Sequence, residues 1–436
     1  MNQEKQTTMK KGLKYIVFSL VPLMILLLAA TGVLRFLEKR KIAEFQRTDD
    51  RVASPPTDLL AVEKTSKGSF YKIQDFNMKS SVFPVEKGPG TYRIFVVGGS
   101  FAMGTPYVHQ LKDMEEPGYG GIPDWLGAEL GLRYPSLDVQ VVNCGAGAQN
   151  STRVYWIVRE LLKAGPDLFI VLTGNNEGYV PATSFNEDLQ RWTLYRALKK
   201  AILPETDLGK RSYFSPQDED SKKIEAVFQG NIRRIVTVIK DHDIDLMLAT
   251  MPINLKYNDF DVSVHGRPTP FPENDENITK GKELHLRGKY KEALEQFAAS
   301  PNQAFACYFI ARSMEALGRF EEAGEFYKIF VQNNPLNRTR PSFNEFIRRI
   351  GREKNIPVAD LEKALEDSSP NGIPSPRLFH DYCHMTWAGY QFMAGLIVEK
   401  IIEAEFIRGN EKEPLPEPDV ETMIKVGGWQ KILQMP

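Results

Sequence analysis

The chain has 436 residues, of which 42% are hydrophobic and 25% are charged. These values are typical of a globular protein with two domains, or with one large domain that carries insertions. The 55 basic and 56 acidic residues give a formal net charge of −1, so the composition gives no reason to expect a nucleic-acid partner.

An uncharged apolar segment lies near the N-terminus, at residues 15–34. Its length is about that needed to cross the hydrocarbon core of a membrane, and Ala30-Thr31-Gly32 is a poor site for signal-peptide cleavage. We therefore predict a cytoplasmic tail at 1–14, a single-pass signal anchor at 15–34, and a linker and N-terminal extension at 35–90. Basic residues flank the segment on both sides, so charge alone does not decide its orientation.

Apolar runs that alternate with amphipathic stretches predict a parallel sheet with helices on both faces. The strands are predicted at 94–97, 139–143, 168–173, 246–249 and 358–360. The helices are predicted at 125–132, 153–164, 192–202, 228–241 and 388–406. This alternation indicates an α/β fold with a five-stranded parallel sheet, followed by a C-terminal tail at 409–436.

An insertion at 266–345 separates the fourth and fifth predicted strands. It resembles a pair of tetratricopeptide helices, and a shorter copy of the same pattern lies upstream at 288–293. The matching residues are Gly318, Phe320, Ala323, Tyr327 and Pro335. Two units are fewer than an independent solenoid needs, so we expect the insertion to pack on the α/β core. It either forms one side of the active site or binds a protein partner, and the sequence does not distinguish these roles.

Ser100 ends the motif Gly98-Gly99-Ser100, directly after the first predicted strand. Open α/β sheets bind their ligands at the carboxyl ends of strands, and a serine hydroxyl becomes a good nucleophile when a base removes its proton. Asp381 and His384, near the C-terminus, could supply a carboxylate and a base from one short turn. In the alternative interpretation, Ser100 is a turn residue and His384 bonds a backbone carbonyl.

The same C-terminal segment allows a metal-binding interpretation, because several of its residues are of ligand type. They are His380, Asp381, Cys383 and His384. Zinc sites usually draw their ligands from separated segments, and the sequence has no second Cys/His cluster, so we predict no metal. The three cysteines, at positions 144, 307 and 383, are too few for a disulfide framework. We predict buried free thiols, with a disulfide between the first and the last as the alternative.

At four places, in the same order along the chain, this sequence resembles the SGNH (GDSL-type) hydrolases. A serine follows the first strand, and a glycine-containing turn follows the second strand. The motif Gly-x-Asn follows the third strand, and the motif Asp-x-x-His lies near the C-terminus. The resemblance implies a three-layer, flavodoxin-like α/β/α fold with no cofactor. It also implies that Ser100 is the nucleophile, His384 the general base, and Asp381 the residue that orients the imidazole. The implied oxyanion donors are the backbone N–H of Ser100, the Asn176 side chain, and a backbone N–H of the second turn, at Ala148.

The sequence departs from the family pattern at two positions. Gly99 stands where the family usually has aspartate before the serine, and Ala148 stands where the second-block glycine is usual. A backbone N–H donor does not require glycine if alanine can adopt the local dihedral angles. The change at Gly99 therefore bears on substrate preference more than on the role of the serine.

The arrangement further resembles a bacterial, membrane-anchored branch of this family, with tetratricopeptide-like helices before Asp-x-x-His. The hydrolase domain is then predicted at 91–265 and 346–408, on either side of the insertion. We expect a serine ester hydrolase with its catalytic domain in the periplasm or outside the cell. Its substrate carries an ester, which by family resemblance alone is an O-acyl group of an envelope glycan. The alternatives are an O-acyltransferase with the same triad and a non-catalytic scaffold protein.

Overall fold

The computed structural model describes residues 59–75, 78–108, 118–177, 219–257, 275–334 and 338–408, together with Met24 and Ala29. Apart from those two residues, the described elements belong to one unit, formed by Pro56–Pro181 and Leu208–Pro436. The predicted tails and the helix at 192–202 lie outside the described residues, and so does the predicted signal anchor apart from Met24 and Ala29. Within the described ranges, no helix combines the length and the apolar character needed to cross a membrane.

Three short strands precede the main sheet and form an antiparallel meander over residues 60–84. They are β1 (Leu60–Thr65), β2 (Gly68–Ile73) and β3 (Val82–Pro84). The ring of Phe83 lies 5.6 Å from that of Phe95 in the main sheet, so the meander packs on the α/β core. The segment predicted as linker and extension therefore contains a packed sheet. Sequence patterns do not predict it, because its strands are short and mostly half-buried or exposed.

Five parallel strands form the main sheet, in the spatial order β5-β4-β6-β7-β8. They are β4 (Thr91–Gly98), β5 (Asp138–Gly145), β6 (Leu168–Leu172), β7 (Asp245–Ala249) and β8 (Val358–Ala359). Every residue of β6 is buried, which explains its unbroken apolar sequence, because a central parallel strand is covered on both faces. Gly98 pairs with both Gly145 and Leu172, so the first three strands end at the same level. The predicted α/β fold with a parallel sheet is confirmed.

Helices cover both faces of the main sheet. In chain order, the α-helices of the described residues are α1 (Ser100–Met103), α2 (Ile122–Arg133), α3 (Ser151–Leu161), α4 (Glu219–Lys240), α5 (Glu276–Leu286), α6 (Tyr290–Ala298), α7 (Gln303–Ala316), α8 (Phe320–Asn333), α9 (Pro341–Lys354), α10 (Leu361–Ser368) and α11 (Trp387–Glu403). Ile94 of β4 shares a buried cluster with α2 and α11. The next residue, Phe95, shares another with α3, α4 and α9. Successive strand residues face opposite sides, so these two clusters are the two layers of the core.

Four helices, α5 to α8, lie in the segment predicted as an insertion. Helix α5 packs against α6, and α7 packs against α8, around a third buried cluster that includes Phe297 and Phe330. Gly288 and Gly318 end the first helix of each pair with φ of 73° and 74°, a backbone conformation that favours glycine. Pro335 lies outside the described residues, and the relation to tetratricopeptide repeats stays a prediction.

Candidate active site

Ser100 begins helix α1 at the carboxyl end of β4, and it is only 9% exposed. The strand approaches its neighbour so closely at this point that a side chain at Gly98 would place its Cβ 1.9 Å from the carbonyl oxygen of Leu172. Two glycines therefore let the chain turn sharply out of a crowded sheet and present the serine at its edge.

Ser100, His384 and Asp381 form a continuous hydrogen-bonded chain. The Oγ of Ser100 lies 2.7 Å from Nε2 of His384, and Nδ1 of His384 lies 2.6 Å from Oδ2 of Asp381. A neutral imidazole that donates from Nδ1 to the carboxylate has Nε2 free to accept the serine proton. The structure thus brings together the three residues that the sequence predicted as nucleophile, base and orienting carboxylate.

The carboxylate of Asp381 is held by its own turn. Its Oδ1 accepts hydrogen bonds from the backbone N–H groups of Cys383, at 2.8 Å, and His384, at 2.7 Å. Burial by itself would raise the pKa of Asp381, but the hydrogen bonds and the charge of His384, with these backbone donors, outweigh it and hold the pKa below its usual value. Asp381 is therefore ionised at neutral pH and can stabilise an imidazolium.

The loop that carries this turn is held by hydrogen bonds within it and to the rest of the fold. Within the loop, the N–H of His380 donates to the carbonyl of His384 at 2.8 Å. The Asn254 side chain donates to the backbone carbonyl of Asp381 at 2.9 Å. From α11, the Tyr390 hydroxyl donates to the carbonyl of Thr105 at 2.7 Å, which links this helix to the segment after Ser100.

Two of the predicted oxyanion donors, Ala148 and Asn176, lie in the turns that follow β5 and β6. We call residues 146–150, which follow β5, the oxyanion turn. Asn176 has a φ of 66°, and its Nδ2 donates to the carbonyl of Gln149 in this turn at 3.2 Å, which leaves its second N–H available. A Cβ on Gly99 would lie 3.6 Å from the same Nδ2, so the amide stands beside the serine backbone. Ala148 lies in the oxyanion turn, exposed, with a φ of 53°.

Glu177 is a buried acid next to Asn176, and the four family motifs assign it no role. Its carboxylate accepts from the backbone N–H of Ser151, at 2.8 Å, and from the Ser151 hydroxyl, at 2.7 Å. Burial raises its pKa to about 7, against the opposing effects of these hydrogen bonds and of the Arg340 charge. Glu177 thereby joins the turn after β6 to the start of α3. In the sequence, the only signal for this residue is its place in the motif Gly-Asn-Asn-Glu.

The ligand atoms of Asp381, Cys383 and His384 lie within 4.8 Å of one another, as the metal-binding interpretation requires. His380 is turned to a different partner, since its Nε2 lies 2.8 Å from the Tyr107 hydroxyl. Both ring nitrogens of His384 are engaged, with Asp381 and Ser100. The arrangement fits proton transfer better than metal ligation. All three cysteines are free and buried.

No protein-family model and no curated relative match this chain. Solved structures do match it. A GDSL-like lipase from Bacteroides thetaiotaomicron is 13% identical, with 72% of this chain and 88% of that chain covered and a TM-score of 0.32. A catalytic mutant of an acetylxylan esterase from Geobacillus stearothermophilus is 14% identical, with 73% and 97% covered and a TM-score of 0.34.

Proposed function

We propose that this protein is a serine ester hydrolase of SGNH type. The observation that carries the proposal is the hydrogen-bonded chain from the Ser100 hydroxyl through His384 to Asp381, with distances of 2.7 and 2.6 Å. A serine, a histidine and a carboxylate within hydrogen-bonding distance are the elements of nucleophilic acyl transfer. The reaction needs no metal and no organic cofactor.

In the proposed mechanism, Ser100 Oγ attacks the ester carbonyl while His384 Nε2 takes the hydroxyl proton. The oxyanion that forms accepts hydrogen bonds from the Ser100 backbone, from Asn176 and from the oxyanion turn at Ala148. The tetrahedral intermediate collapses, the C–O bond of the ester breaks, and His384 returns the proton to the leaving alcohol. Water then repeats the sequence on the acyl-enzyme and releases the acid and the free serine.

We extend the proposal to substrate and location on the family resemblance alone. The ester is an O-acyl group on an envelope glycan, and residues 15–34 anchor the enzyme with its catalytic domain outside the cytoplasm. The acetylxylan esterase from Geobacillus stearothermophilus acts on a glycan ester, but that activity belongs to the matching protein and does not carry over by itself. The helical insertion either walls the site or binds a protein partner.

The test is to incubate the full-length protein with a fluorophosphonate probe and with p-nitrophenyl acetate. Labelling at Ser100 together with turnover of the ester supports the hydrolase. Labelling with product formed only when a glycan acceptor is supplied would instead indicate an O-acyltransferase. A folded protein that neither reacts with the probe nor turns over the ester would contradict the proposal and favour a scaffold.

A further inference from the structure

The N-terminal meander contacts the oxyanion turn directly. Met78, between β2 and β3, forms an isolated antiparallel bridge with Ala146, the first residue of the oxyanion turn. Both residues are buried, with 3% and 1% of their surface exposed, and they belong to the same hydrophobic cluster. The backbone of the oxyanion turn is therefore paired on one side with a segment that precedes the hydrolase core.

A buried ion pair makes a second connection between the same two parts. Nη2 of Arg153 donates to Oδ2 of Asp75, and the two side chains are only 6% and 8% exposed. Arg153 is the third residue of α3, and its backbone N–H donates to the side chain of Asn150, the last residue of the oxyanion turn, at 3.2 Å. Arg153 is thus bonded to the oxyanion turn through its backbone and to the meander through its side chain.

We propose that Asp75 is a positioning residue for the oxyanion turn, which it holds in place through Arg153. The inference rests on the proposed function, because the placement of this turn affects a rate only if the turn stabilises an oxyanion. It also gives the meander a role in the reaction, although none of its residues touches the triad in the described contacts.

The effect of losing Asp75 follows from the charge of its partner. Asp75 pairs with an arginine side chain that stays ionised, so removing Asp75 takes a negative charge away from a buried site. We expect the guanidinium to shift from its position beside the meander, and the start of α3 to shift with it. Gln149 lies in the same turn and accepts the hydrogen bond from Asn176, so a displaced turn also disturbs the Asn176 amide. A displacement of about 1 Å at such a site can lower a rate by roughly a hundredfold.

The test compares Asp75→Ala and Asp75→Asn in the full-length protein with Lys87→Ala as a matched control. The Lys87 ammonium pairs with Asp167 at 2.6 Å, and both residues lie just before strands β4 and β6, at the end of the sheet away from Ser100. We expect Asp75→Ala to lower kcat for p-nitrophenyl acetate by about 10- to 100-fold and to leave KM within about twofold. Asp75→Asn should lower kcat less than Asp75→Ala does, because the amide oxygen can still accept a hydrogen bond from Arg153. Lys87→Ala should keep the wild-type kcat.

Hydrogen exchange supplies a readout that does not depend on activity. In Asp75→Ala, amides at 143–153 should exchange faster than in the wild type, while Lys87→Ala should not change them. If the wild type fails to hydrolyse the ester, the proposed function is wrong, but faster exchange at 143–153 in Asp75→Ala alone still supports the positioning role. If the wild type is active and Asp75→Ala leaves kcat unchanged, the inference is overturned. It is also overturned if Asp75→Ala and Lys87→Ala lower kcat equally. Unchanged exchange at 143–153 in Asp75→Ala would also overturn it.

Discussion

Oγ of Ser100 lies 2.7 Å from Nε2 of His384, although 284 positions separate the two residues along the chain. The parallel sheet explains this proximity, because the loops at the carboxyl ends of parallel strands meet at one edge. Ser100 follows β4 directly, and His384 lies three residues before α11, which is fixed to the segment after Ser100 by the bond from Tyr390 to Thr105. The chemistry therefore depends on contacts between the two ends of the domain.

Ser100→Ala and His384→Ala should each lower ester turnover by at least about a thousandfold, because the two residues act as one unit. Both variants should stay folded. For the same reason, the double variant should be about as slow as either single variant. Steady-state kinetics and circular dichroism of the three variants check this. A double variant whose loss equals the product of the single losses would show that the two residues act independently.

Asn176→Ala should lower kcat by roughly a hundredfold and change KM little, since an oxyanion donor acts mainly in the transition state. Asn333→Ala is the matched control, because Asn333 is also buried but lies in α8 of the insertion. Its kcat should equal that of the wild type. If Asn176→Ala instead raised KM at a normal kcat, Asn176 would be a substrate contact.

Gly98 and Gly99 should respond differently to alanine, although they are neighbours. A Cβ at Gly98 would lie 1.9 Å from a backbone oxygen of β6, so Gly98→Ala should lower the free energy of unfolding by about 3 kcal/mol. Gly99 has a φ of −82°, and its Cβ would lie 3.1 Å from the Gln149 carbonyl oxygen. Gly99→Ala should therefore fold but lose activity, because that carbonyl holds Asn176. Urea denaturation and kcat measurements check both, and equal unfolding free energies would refute the contrast.

Glu177 should make the stability of the protein depend on pH. Its pKa rises from an ordinary value of 4.5 to about 7 in the fold, so between these values the folded state keeps a proton that the unfolded state releases. Stability from this group is complete below the lower value and is lost as the pH rises through the upper one, a decline of about 3 kcal/mol. Glu177→Gln cannot ionise and should lack this decline. Urea denaturation from pH 4 to 8 compares the two, and parallel curves would contradict the prediction.

Residues 15–34 should remain in the mature protein and place the following domain outside the cytoplasm. Alkaline phosphatase fused after Ser54 should be active, because this reporter folds only in a compartment where disulfides form. An inactive phosphatase fusion together with an active cytoplasmic reporter at the same position would reverse the predicted topology. It would also remove envelope glycans from the expected substrates.

The strands of the main sheet could be predicted from the sequence because burial on both faces leaves unbroken apolar runs, such as 168–172. Ser100 could be predicted because it belongs to a short motif directly after such a run, and Asp381 and His384 because they match the Asp-x-x-His motif near the C-terminus. The contacts that support the site leave no comparable local pattern. Glu177 and Ser151 are 26 positions apart, and Asp75 and Arg153 are 78 apart. Pairs so far apart along the chain can be recognised only in the folded structure. The same holds for the meander, because the sequence of its half-exposed strands resembles that of a linker.

The order of the elements along the chain also affects how the protein is made. A ribosome completes β4 and Ser100 first, then Asn176, then helices α5 to α8, and only afterwards the turn with Asp381 and His384. A nascent chain, or one that ends prematurely within the insertion, therefore carries a serine that has no base to activate it. In the proposed mechanism Ser100 needs His384 as its base, so an incomplete translation product would not attack esters in its surroundings.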